Sequence, residues 1–218
     1  MKRLLATLLL AVVATLGLAA CGGDDAAVSV NGDVVLTQDE ADELLEEFAA
    51  SEDLLTSVDG RGAGNETLRS GYVSTVMIGN AVLERLLAEE IERQGLEVTD
   101  ERVEQGRAIL ESNLANPQDG STPLTLDQLP DTYRALLEDL YANFTTLLAD
   151  LGGNPTDPAD PANVAAQDEL SARLQELRLD ADVDIDPRLG RWVVADGVAS
   201  VEPAEGPIAP TTTALPTD

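Results

Sequence analysis

Between Ala27 and Phe48 the chain reads AVSVNGDVVLTQDEADELLEEF, and its apolar positions change period partway along. Val28 and Val30 alternate ahead of Asn31-Gly32, and Val34 and Leu36 alternate behind it. Asn-Gly supplies the positive φ angles of a tight turn between twisted strands, so this stretch predicts a β-hairpin, with Asp33 extending the turn. The period then lengthens. Thr37 and Glu40 are spaced as a capping box, and Ala41, Leu44, Leu45 and Phe48 recur at helical intervals. Such a face requires a partner elsewhere in the chain.

Ser57 to Asn65, SVDGRGAGN, is polar and Gly-rich and reads as an exposed loop. It lacks the Gly-Lys-Ser/Thr ending of a phosphate-binding loop, which excludes a nucleotide site of that kind. Glu66 to Gln94 is the longest helical pattern. Leu68, Tyr72, Val76, Leu83, Leu87 and Ile91 form one stripe, and Met77, Ile78, Val82 and Leu86 broaden it, so this helix is expected to be covered on more than one face. Gly95 is placed as its left-handed cap. Gly71 and Gly79 inside it each cost about 1 kcal/mol relative to Ala, which points to close helix packing or a kink.

In the next segment, GLEVTDE, Thr99 is the expected N-cap, and Asp100 and Glu101 sit on the positive end of the following helix dipole. Val103, Ile109, Leu110 and Leu114 give that helix its apolar side. Asn116-Pro117, Asp119-Gly120, Pro123 and Pro130 interrupt helical pattern until Asp131. From Asp131 to Leu151, Tyr133, Leu136, Leu137, Leu140, Tyr141, Phe144, Leu147, Leu148 and Leu151 recur every three or four residues. A Leu and Tyr stripe of this kind is more often core than binding groove. Tyr133, Leu137, Tyr141 and Phe144 are nonetheless the candidates for contact with a bound polypeptide. Gly152 and Gly153 end the helix, Pro155 and Pro158 mark a loop, and Asp160 caps a helix with Pro161 at its first position, running to about Leu177 with Ala166, Leu170, Leu174 and Leu177 inward.

Beyond it Ala181, Val183 and Ile185 alternate with Asp180, Asp182, Asp184 and Asp186, the pattern of an edge strand with one wet face. The acid row lacks the sixth-position Gly and the distant Glu of a calcium-binding EF-hand loop, so no metal is assigned to it. The run EPAEGPIAPTTTALPTD, residues 202–218, is rich in Pro, Thr and Ala and reads as a disordered tail.

Composition sharpens this picture. Hydrophobic residues make up 44% of the 218, enough for a core, but aromatics only 3%, so that core is built from Leu, Val, Ile and Ala. Leu, Ala and Glu outweigh β-branched residues, which favours helices. The formal net charge is −28, and beyond residue 20 only eleven Arg stand against the 41 Asp and Glu. A phosphate backbone would be repelled, so nucleic acid is excluded as a partner. The plainest reading of the charge is solubility.

Lys2 and Arg3 precede an apolar stretch from Leu4 to Leu18, followed by the only cysteine, Cys21. This is the layout of a targeting segment, too short to span a bilayer core of about 30 Å comfortably. Leu18-Ala19-Ala20-Cys21 matches the lipobox of bacterial lipoproteins. That resemblance implies a signal peptide over 1–20 and a lipidated tether over 21–26, with the thiol of Cys21 acylated and the chain held on the outer face of the cytoplasmic membrane. An acylated Cys21 leaves no disulfide or thiolate, and there is no histidine anywhere, so the usual nucleophiles, bases and metal ligands are missing. No catalytic residue, cofactor or enzymatic activity is assigned.

Three segments together resemble the N-terminal domain of SurA- and PrsA-type extracytoplasmic folding factors: the V-N-G hairpin with its Thr-capped acidic helix, the long helix followed by GLEVTDE and another helix, and Asp186-Pro187-Arg188-Leu189-Gly190-Arg191-Trp192. The last is similar to the D-P-R-Y-G-x-W ending of actinobacterial members, with Leu189 in place of Tyr. The resemblance spans residues 27–201. It implies a mainly α fold of about five helices, with a small antiparallel sheet in which the C-terminal strand returns to the N-terminal hairpin. It also implies binding of unfolded or secreted polypeptides in a holdase-like manner. The parvulin isomerase domain of many members has no counterpart, since its histidines are missing and Thr99 to Leu151 offers no candidate strands. The alternative is an envelope scaffold lipoprotein serving one partner. Clients and oligomeric state are left open.

Overall fold

The computed structural model describes residues 26–59, 71–117, 121–155, 157 and 160–204. Within them the fold is mainly helical with two small antiparallel sheets. Strand β1 (Ala26–Val30) turns through Asn31 (φ 54°) and Gly32 (φ 89°) into β2 (Asp33–Thr37). Asp33 is therefore the first residue of β2, paired with Val30, and does not extend the turn. Irregular pairing at Ala26/Val28 and Val28/Ser29 shifts the register, so the adjacent Ala27 and Val28 are both buried. Thr37 and Glu40 close the expected capping box on α1 (Gln38–Ala50), whose Ala41, Leu44, Leu45 and Phe48 are buried.

A second helix, α2 (Glu52–Asp59), follows directly. It corrects the reading of Ser57 onward as an exposed loop: Ser57 and Val58 are buried, and the Ser57 hydroxyl donates to the Thr122 carbonyl at 2.8 Å. The rest of that expected loop lies outside the described residues. Tyr72–Ile78 forms a π-helical segment that continues into α3 (Gly79–Gln94), capped by the left-handed Gly95 (φ 67°) as expected. Gly71 and Gly79 flank the π segment, and a Cβ on either would meet no heavy atom within 4 Å. Close packing is thus not their role. They bracket a local change in helical winding, each in open space.

Helix α4 (Asp100–Ala115) begins at Thr99, which is extended but makes no side-chain capping bond. Of its expected apolar side, Leu110 is buried, Ile109 and Leu114 are half-buried and Val103 is 43% exposed. A short 3-10 turn (Leu126–Gln128) precedes α5 (Asp131–Asp150), and α6 (Pro161–Asp180) starts where Asp160 accepts from the Ala162 amide. Helix α6 extends three residues past Leu177 and buries Asn163, Ala166 and Leu170.

The two ends of the domain then meet. Strand β3 (Val183–Ile185) pairs antiparallel with β1 in the register Val28↔Ile185 and Val30↔Val183, giving the order β2-β1-β3 with β3 at the edge. Asn31 fastens this junction: its amide donates to the Asp182 carbonyl at 2.7 Å, its Oδ1 accepts from the Asp182 amide at 3.0 Å, and its Nδ2 donates to Glu89 on α3 at 2.7 Å. A separate hairpin, β4 (Arg191–Ala195) and β5 (Val198–Glu202), follows through Asp196-Gly197. Its Ala199 and Val201 are buried, and β5 lies against α6 and the π segment. Glu202 thus belongs to a strand, not to the tail.

Candidate functional site

The candidate site is a cleft of about 1320 Å³ framed by α3, α4, α5 and α6. Its geometry follows from how three helices divide their faces. The broad stripe on the long helix splits in two: Val73, Met77, Ile78, Val82 and Leu86 are buried in the core, while the half-buried Tyr72, Val76 and Leu83 line the cleft, and Leu87, fully buried, belongs to both. Expected cover on more than one face is thereby realised as core on one side and cleft on the other. The π segment spans the turn where that division begins, and Tyr72 there stacks on Phe48 of α1 with centroids 5.8 Å apart and planes at 12°.

The second wall is α4, brought against α5 by Gly106. A Cβ at that position would lie 2.6 Å from the Tyr141 carbonyl carbon and 2.7 Å from the Ala142 nitrogen. Only a glycine permits this backbone-to-backbone approach, which leaves Ile109 and Leu114 bordering the cleft. The third wall is α5. Tyr133 and Leu137 are buried there and Tyr141 and Phe144 half-buried, and all four expected contact residues line the cleft. They are core residues and cleft wall at once.

Amides are distributed over the apolar walls. Asn80 Nδ2 donates to the Tyr133 hydroxyl at 3.0 Å, and Asn113 Nδ2 to the Tyr141 hydroxyl at 3.0 Å. Burial, followed by the neighbouring Tyr72, pushes the Tyr133 phenol far above its ordinary range and keeps it protonated. From α6, Asn163 borders the cleft at 2% exposure, and its Oδ1 is buried without a hydrogen-bond partner. Glu101 and Glu104 supply the only ionisable carboxylates of the lining, and no Lys or Arg contributes to it among the described residues. Sequence reading missed the contributions of Asn80, Asn113 and Asn163, since a lone amide at the border of an apolar stripe carries no periodic signal.

Beside the cleft, Glu84 on α3 accepts from Asn143 Nδ2 at 3.0 Å, and burial followed by the nearby Asp139 raises its pKa. Glu90, almost fully buried, joins α3 to α6: Arg173 Nε approaches at 2.6 Å, and Arg93 and Gln94 donate at 2.7 and 2.6 Å. Hydrogen bonds from Arg93 above all hold its carboxyl below the ordinary range. No cluster of three or more metal-ligating side chains occurs among the described residues, and no helix there is long and apolar enough to cross a membrane. Leu18, Ala19, Ala20 and Cys21 lie outside the described residues.

Fold and site together define a class: an α-rich domain closed by strands from its two ends, carrying an open apolar cleft set with amides. Comparison with family models, curated proteins and solved structures returns no match to the chain.

Proposed function

We infer that this protein is a lipid-anchored extracytoplasmic lipoprotein that binds unfolded or extended polypeptides and holds them without changing them chemically. The observation carrying this reading is the cleft. At about 1320 Å³ it exceeds the roughly 300–1,000 Å³ of ordinary small-molecule sites, and its walls are apolar while its polar groups are mostly neutral amides and hydroxyls, with the carboxylates of Glu101 and Glu104 beside them. Aliphatic and aromatic walls suit apolar side chains, and scattered amides suit a polypeptide backbone. The acidic exterior keeps such open proteins apart from one another. The lipobox at Leu18 to Cys21 and the resemblance to SurA-type domains support the same reading.

The test uses the chain from Gly22 onward. It is expected to suppress aggregation of several unrelated unfolded proteins at near-stoichiometric ratio, and Ile109→Asp, which places a charge on the cleft wall, is expected to abolish suppression while leaving the helical circular-dichroism signal. In cells, Cys21→Ala is expected to lose fatty-acid labelling and membrane fractionation. Absence of suppression, with a tight complex to a single envelope protein, would replace the holdase reading by that of a dedicated scaffold.

A further inference from the structure

The cleft lies within reach of the chain's own continuation. Strand β5 ends at Glu202, against the π segment. A Cβ on Gly190 would stand 2.7 Å from the Glu202 carbonyl oxygen and 3.3 Å from the Ser74 Cβ, so the last described residues leave beside Ser74. Tyr72 and Val76, two positions to either side of Ser74, line the cleft. No more than the width of one helix, roughly 10–12 Å, lies between that exit and the cleft wall. Residues 205–218 can span about 45 Å when extended, so length does not limit the approach.

The composition of this segment matches the lining. From Gly206 to Thr217 the chain reads GPIAPTTTALPT, twelve residues without a charge in a sequence of which 25% is charged. The walls of the cleft are apolar, and among the described residues no cation lines it and Glu101 and Glu104 border it. Acid-rich stretches of this chain are repelled from such a border, and an uncharged run is not. Pro207, Pro210 and Pro216 punctuate the run, with Ile208 and Leu215 beside them. Proline-rich segments dock in aromatic-lined grooves at low entropic cost, because proline restricts the free chain beforehand. Tyr72, Tyr141 and Phe144, half-buried in the cleft wall, are half of the six aromatic residues in the whole chain.

We propose that residues 206–217 occupy the cleft of their own chain, prolines toward the aromatic wall, and that a polypeptide from outside binds by displacing them. This rests on the polypeptide-binding reading above and adds a regulation to it. A short tether holds a segment at roughly millimolar effective concentration, so an intrinsic Kd of about 0.1–0.5 mM weakens outside ligands about three- to tenfold.

The experiment compares the full chain with one ending at Ala204, each in phosphatidylcholine nanodiscs at one copy per disc. The probe is a fluorescein-labelled peptide with the sequence of residues 203–217, and binding is read by anisotropy at rising protein concentration. The shortened chain is expected to bind the peptide about three- to tenfold more tightly than the full chain. Ile208→Asp with Leu215→Asp, which keeps the full length, should make the full chain as receptive as the shortened one. In the shortened chain, Ile109→Asp should lose the peptide, and so should Gln167→Trp, which fills the cleft from an exposed position of α6. Peptide binding that survives both cleft variants would place the seat elsewhere and overturn the proposal. Equal binding by the full and shortened chains would also overturn it, as would a seat in a neighbouring copy, which at one copy per disc leaves the full chain just as receptive. No binding by the shortened chain, with aggregation of unfolded proteins still suppressed, would overturn the proposal and leave the polypeptide-binding reading standing with outside chains as the occupant.

Discussion

Glu84 illustrates how one side chain couples the cleft region to pH. Burial and the adjacent Asp139 raise its pKa, while Arg85 and the Asn143 amide oppose them. A carboxyl whose folded-state pKa lies above its unfolded value is ionised at a cost in the native state at neutral pH, and recovers that stability as pH falls through the folded pKa. Glu84→Gln keeps an acceptor for Asn143 and removes the charge. It is expected to be more stable than the native protein at pH 7 in urea titrations, the difference narrowing through the raised folded pKa and vanishing below the ordinary carboxylate range. A difference independent of pH would show that packing, not ionisation, sets it. Glu90 works in the opposite sense, contributing stability above the ordinary carboxylate range that is lost as pH falls through its lowered folded pKa. None of this was visible from spacing, since an acid-rich chain offers many carboxylates and only the fold decides which are crowded.

Among elements, the crossing of α4 over α5 depends on Gly106. Gly106→Ala would drive a methyl group into the backbone at Tyr141 and Ala142, where no flexible side chain can yield. Overpacking of this kind costs about 1–3 kcal/mol, and the contact with main chain places Gly106→Ala at the upper end. A lowered denaturation midpoint with an unchanged urea m-value is the expected signature, and a neutral effect would mean that the helices separate freely. The sequence pattern led correctly to the hairpin, the capping box at Thr37, the left-handed Gly95 and the helix over α5, because each is written in local chemistry. It failed at α2, where a Gly-rich run was extended backward over Ser57 and Val58, both buried, with the Ser57 hydroxyl held by the carbonyl of the distant Thr122. The β4–β5 hairpin was also passed over, although Asp196-Gly197 between Val193-Val194 and Val198 is the same kind of turn signal as Asn31-Gly32. Gly106 itself gave no sign. A glycine in mid-helix marks a close approach only once its neighbour is known.

On the scale of the whole molecule, the domain is held shut by its ends. β1 is the central strand of its sheet, with Ala27, Val28 and Val30 almost fully buried, and its partners come from the beginning and the end of the described chain. Deleting residues 183–204 would strip β1 of one neighbour, uncover Val28 and Val30, and remove Leu189, Ala199 and Val201 from the core. The expected result is loss of the cooperative thermal transition, checked by circular dichroism; retention of a sharp transition would show that the helices alone suffice. The four expected contact residues were found in one stripe because they share a helix. The cleft they border was not legible, since it is a gap left by the packing of four helices.

The pairing of Val28 with Ile185 spans 157 positions. Loops of that length close slowly, so most of the helices have time to form before the sheet can be completed. A chain that emerges from a ribosome or a membrane pore with its first residues leading must therefore carry an apolar strand with one open edge until nearly the last of the domain has followed. The native fold, on this account, registers that delivery is finished, and a chain stalled short of Val183 would remain recognisable to proteases by its unmatched strand.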